Sequence, residues 1–63
     1  MKYYQVKVRE RIGFEYYTSE YTGSLFTSKD EALNELMDAR DDFANDLYAE
    51  PFLCEIEGNE VLA

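Results

Sequence analysis

The sequence predicts a small α+β domain, three to four antiparallel strands packed on one helix in the order β-β-α-β, and three observations carry the prediction. Residues 2–11 alternate between apolar and polar, apolar residues recur at helical spacing behind a capping signal from Ser28 to about Tyr48, and alternation resumes after Pro51. One domain spans residues 1–63, because a chain of 63 residues buries only about 60% of its unfolded surface and cannot support two cores. Nearly half of the residues are apolar and ten are aromatic, with no low-complexity run, which is the composition of an ordered protein.

In the first strand Tyr4, Val6 and Val8 point one way and Tyr3, Gln5, Lys7, Arg9 and Arg11 the other. Ile12-Gly13 offers a tight reversal, and Phe14 to Tyr21, rich in tyrosine and threonine, supplies the partner of a β-hairpin that ends at Tyr21-Thr22-Gly23-Ser24. Ser28-Lys29-Asp30-Glu31 is a capping box in which Ser28 and Glu31 satisfy each other's backbone N–H. Asp30 and Glu31 also suit the positive end of the helix dipole. Pro51 cannot continue a helix, so the expected end is near Tyr48 or Ala49.

On this helix Leu33, Leu36, Met37, Phe43, Ala44, Leu47 and Tyr48 form one stripe for the core. Arg40, near its middle, is expected to snorkel or to pair with Glu50. Phe52, Cys54 and Ile56 then alternate with Leu53, Glu55 and Glu57 in a third strand, with Cys54 as a small core residue. Gly58-Asn59 allows a further turn, and Val61 and Leu62 an optional fourth strand.

Fourteen acidic residues oppose six basic ones, for a formal charge of −8. The first eleven residues hold Lys2, Lys7, Arg9 and Arg11 against Glu10, so all of the excess negative charge lies beyond them. Direct binding to nucleic acid or to an anionic membrane is not expected, since both require a concentrated basic surface. No apolar stretch reaches the roughly 20 residues of a membrane span, and the first residues lack the apolar core of a secretory signal. A lone cysteine points to a reducing compartment, and the expected location is cytoplasmic.

Catalysis is not expected. Without histidine the Ser-His and Cys-His nucleophiles are unavailable, and a chain this short has little volume for a cleft that would separate the pKa values of paired carboxylates. The acidic run Asp38 to Asp46 suggests calcium, but its apolar spacing is helical and it lacks the glycine of a calcium loop, so neither metal nor cofactor is expected.

The outer helix face carries the most information. Glu31, Glu35, Asp38, Asp42 and Asp46 fall within a narrow arc with Asp41 beside it, and the lysines that usually alternate with such carboxylates are missing. A one-sign ridge of this kind suits a protein groove lined with arginine and lysine, including one built for a phosphate backbone. Solvation alone is the competing explanation. In size, acidity, aromatic content and want of catalytic groups the chain resembles the DNA-mimic inhibitors of phages and mobile elements, which block restriction, CRISPR and uracil-excision enzymes. That resemblance involves no motif, and it implies a non-enzymatic inhibitor whose partner is a protein with a basic groove.

Tyr3 and Tyr17 are expected on the outer sheet face with Lys7, Arg9 and Arg11, where exposed tyrosine suits protein contact. The second reading is therefore an assembly module that dimerises through this face or through an open sheet edge. Monomer and homodimer both remain open.

Overall fold

A computed structural model describes residues 2–57; the optional strand at Val61 and Leu62 lies outside the described residues. Strand β1 (Lys2–Ile12) is followed by β2 (Glu15–Glu20), helix α1 (Lys29–Asp42) and β3 (Ala49–Glu57). The three strands form an antiparallel sheet in the order β2-β1-β3, with β1 central and α1 packed across β1 and β3. The α+β class and the order β-β-α-β are those expected.

The hairpin turns where the sequence places it. Ile12 faces Glu15 across the ladder, leaving Gly13 and Phe14 as a two-residue loop. Gly13 has φ of 65° and, among the described residues, positive φ is confined to glycine, which fits a type II′ turn with glycine at its first central position. Phe14 points away from the molecule, 96% exposed.

Register assigns the sheet faces. Val6 lies opposite Leu53 and Val8 opposite Pro51, and these residues face the helix. The helix contributes Ala32, Leu36 and Ala39, and Tyr21 and Leu53 close the cluster formed by Val6, Leu36 and Ala39. This corrects the expected stripe. Leu33 and Met37 sit on the helix flank at 39% and 63% exposure, and Leu47 and Tyr48 are more exposed than buried. Arg40 is exposed as well and has no ion pair with Glu50. Residues 32, 36, 39 and 43 span roughly 60° of a helical wheel. Because two of them are alanines, the backbone can approach the valines of β1 closely.

The helix also ends six residues before the expected stop. The Phe43 N–H still bonds the Ala39 carbonyl, but Ala44 turns to Asp41 and Asp46 to Phe43 in tighter turns. The Asp46 carboxylate then accepts the Tyr48 N–H at 2.9 Å, the local bond by which aspartate competes with helix. Tyr48 in turn gives its carbonyl to the Arg11 N–H at 2.8 Å, which launches β3.

Cys54 is not in the core. It pairs with Gln5 on the sheet face that carries no helix, together with Phe52 and Ile56, and is half-buried there. At the start of α1, Ser28 adopts the extended cap conformation (φ −102°, ψ 126°), yet its hydroxyl makes no cap bond and Glu31 is exposed, so the capping box is not formed. Ser28→Ala should therefore change the unfolding free energy by no more than about 0.5 kcal/mol in a urea titration, where a formed cap would cost about 1 kcal/mol.

Candidate functional site: the acidic flank of the helix

Glu31, Glu35, Asp38 and Asp42 lie within roughly 60° of the wheel, about 100° from the centre of the buried stripe. They form a flank, not a crest. Asp41 occupies the side opposite the core, and Asp46 lies outside the helix in the turn that follows. The one-sided arc is thus carried by four carboxylates over about 17 Å of axis, near one per 5 to 6 Å, against one phosphate per 3.4 Å of a DNA strand.

The flank borders the segment that leaves β2. The Tyr21 hydroxyl donates to the Asp42 carboxylate, and the Tyr21 ring meets Phe43 edge-on at 6.3 Å and 68°. One residue on, the Thr22 hydroxyl donates to Glu35 Oε1 at 2.6 Å. That hydroxyl has a single proton, so its 3.1 Å contact with the Ser24 hydroxyl and its 3.3 Å contact with the Ser24 N–H are bonds it accepts. Gly23 makes the bend possible with φ of 86°. The other Glu35 oxygen is shielded from solvent and has no hydrogen-bond partner. Sequence reasoning missed Tyr21 and Thr22, for which the only signal was the turn sequence Thr22-Gly23-Ser24.

No lysine or arginine neutralises the flank. Among the described residues the ion pair found is Lys2 with Glu55 at 3.6 Å, on the sheet. Lys7, Arg9 and Arg11 occupy the helix-free face: the Arg9 guanidinium stacks 4.5 Å from the centre of the Tyr16 ring, and Arg11 Nε donates to the Gly13 carbonyl at 3.0 Å. Tyr3 stands on that face as expected. Tyr17 does not, because its register opposite Glu10 puts it on the other face, where it donates to Glu15 at 2.5 Å; Tyr16 takes the expected place.

The bond to Asp42 pushes the Tyr21 pKa up to about 12, with partial burial and the charges of Asp42, Asp38 and Glu35 adding to it. The hydrogen bond to Glu15 raises Tyr17 in the same direction. A pKa raised in the folded state means a stabilising contribution fully present below the unfolded value of 10.0 and lost as pH climbs toward 12. Stability should accordingly fall between pH 10 and 12, and Tyr21→Phe should flatten that slope in thermal melts taken across the interval. An equal slope in the variant would mean that the bond to Asp42 does not form in solution.

Among the described residues no three cysteine or carboxylate groups converge as a metal site, and no helix is long and apolar enough to cross a membrane. Comparison with protein-family models, curated proteins and solved structures gives no match.

Proposed function

We propose that the chain is a non-catalytic protein-binding module, an inhibitor that lays the acidic flank of α1 into a basic, nucleic-acid-binding groove of a partner. The observation that carries this reading is the set Glu31, Glu35, Asp38 and Asp42 on one flank, with no ion pair to any of them among the described residues. Like charges at i,i+4, as in Glu31 with Glu35 and Asp38 with Asp42, each destabilise a helix by about 0.2 to 0.5 kcal/mol. Lys7, Arg9 and Arg11 stand on the helix-free sheet face, and Lys29 and Arg40, though in α1, fall on the side of the wheel away from the acidic arc. An arrangement that costs stability and leaves the relief unused fits a surface kept for a partner, and anti-defence inhibition of a restriction, CRISPR or uracil-excision enzyme is the role such a surface suits. The lone Cys54 suits a reducing, cytoplasmic setting.

The test uses Glu31→Lys with Asp38→Lys, two positions with no bond to the rest of the fold. Affinity capture from host extract with the unaltered protein should retain a nucleic-acid-binding protein that salt or added duplex DNA releases. The double variant should stay folded and bind that protein at least about tenfold more weakly, a change of about 1.4 kcal/mol. Retention that survives molar salt and the charge reversal would overturn the reading.

A second reading rests on a separate observation. Tyr3, Tyr16, Phe52, Cys54 and Ile56 share a sheet face that no second layer covers among the described residues, in a body whose smallest extent is 13 Å. Self-association through this face should give a dimer in sedimentation that Tyr3→Ala and Tyr16→Ala dissociate.

A further inference from the structure

Among the described residues the sheet has two open edges, and they are built differently. Along β1, even-numbered residues turn their backbone groups toward β2: Tyr4 exchanges two 2.8 Å bonds with Phe26, and Val6 accepts from Tyr21. Odd-numbered residues face β3, as Arg11 does in bonding Tyr48. Ladder alternation therefore aims the N–H and C=O groups of Ala49, Pro51, Leu53, Glu55 and Glu57 outward from β3, and those of Tyr16, Thr18 and Glu20 outward from β2. The β3 edge is guarded. Pro51 has no N–H to offer there, and Glu55 and Glu57 crowd its end with charge. The β2 edge has no such device: Tyr16-Tyr17-Thr18-Ser19 holds neither charge nor proline, all six β2 residues are exposed, and α1 packs over the other two strands.

We propose that the outer edge of β2 is a strand-addition site for an extended basic segment of a partner protein, docked antiparallel with lysine or arginine opposite Glu15 and Glu20. Charge selects the occupant. The two glutamates bracket the uncharged stretch, so a segment in full register meets them with residues five positions apart, one on each face. On its inner edge β2 already pairs with the basic strand β1, where Lys7 faces Glu20. A second copy fits poorly, because two-fold pairing of outward-facing groups centres on Tyr17 or Thr18, puts no cation opposite Glu15 or Glu20, and joins two chains of charge −8. Tyr16 and Tyr17 offer ring surface on opposite faces, against which β-branched side chains of the segment pack. This site is independent of the acidic flank.

The probe is the peptide Lys-Val-Thr-Val-Thr-Lys with both ends blocked, added to nitrogen-15-labelled protein. At saturation, amide exchange at Tyr16, Thr18 and Glu20 should slow by about tenfold or more, while Tyr17 and Ser19, already bonded to β1, change little. Replacing both lysines of the peptide by glutamate should weaken binding by at least about tenfold. Thr18→Pro removes an outward donor without touching the ladder to β1 and should cost about tenfold in affinity. If that variant does not fold, N-methylation of alternate peptide amides removes the same bonds from the other side and should do likewise. Unchanged exchange at the three amides, shifts confined to α1, equal binding of the glutamate peptide, or protection that grows with protein concentration alone would each overturn the proposal. Glu31→Lys with Asp38→Lys, which disables the acidic flank, should leave the same three amides protected by the peptide.

Discussion

Leu36→Ala should lower the unfolding free energy by about 2 to 4 kcal/mol, which is a large part of all that a domain of 63 residues possesses. At 0.05 to 0.15 kcal/mol per residue the whole fold is worth roughly 3 to 9 kcal/mol. Leu36 is 5% exposed and is the largest helix side chain in the core; its neighbours there are Val6 and Ala39, with Tyr21 and Leu53 at the margin. Alanines already present on the helix cannot swell to fill the void, so little of the loss is recovered by collapse. Urea unfolding followed by circular dichroism should show a midpoint reduced by about half. Met37→Ala, at 63% exposure in the native helix, should cost under about 1 kcal/mol. Equal losses in the two variants would mean that the helix presents a different face to the sheet.

Strand β1 was legible because period-2 alternation has one interpretation when one face is buried, and Tyr4, Val6 and Val8 do point toward the helix. In β3 both alternating sets hold apolar residues, and register puts Leu53, not Cys54, on the helix side. The helix was legible in existence but not in rotation. Weighting by side-chain size favoured Leu33 and Met37, whereas close approach to a valine-lined sheet favours the smaller Ala32 and Ala39 on either side of Leu36. Its end was hidden for a related reason. Apolar spacing continues through Leu47 and Tyr48, yet the bond from Asp46 to the Tyr48 N–H and the demand of β1 for a partner at Arg11 both pull that stretch out of the helix.

The acidic flank survived that rotation, because i, i+4, i+7 spacing keeps Glu31, Glu35, Asp38 and Asp42 together whichever way the helix turns. What no spacing rule could supply was their setting. Tyr21 and Thr22 reach the flank only because a chain segment returns from the end of β2 to the side of α1. Tyr17 was misplaced by one residue of register, enough to move a side chain to the other face of the sheet.

Ala39→Leu should lower the unfolding free energy by about 1 to 3 kcal/mol. Ala39 is fully buried and lies against Val6 and Leu36, so three added carbons meet close-packed neighbours. The helix must therefore lift from the sheet, and lifting it separates α1 from the Tyr21–Thr22 segment that the sheet holds in place through the bond from Tyr21 N–H to Val6. Loss of the bonds to Asp42 and Glu35 gives this prediction a signature that simple destabilisation lacks. In the surviving folded population the Tyr21 hydroxyl should titrate near its ordinary 10.0 and no longer near 12, which difference absorbance against Tyr21→Phe controls resolves. A destabilised Ala39→Leu protein that kept the high titration would show that the segment moves with the helix, so that the acidic flank and its hydroxyl partners form one rigid unit presented as a whole to whatever binds them.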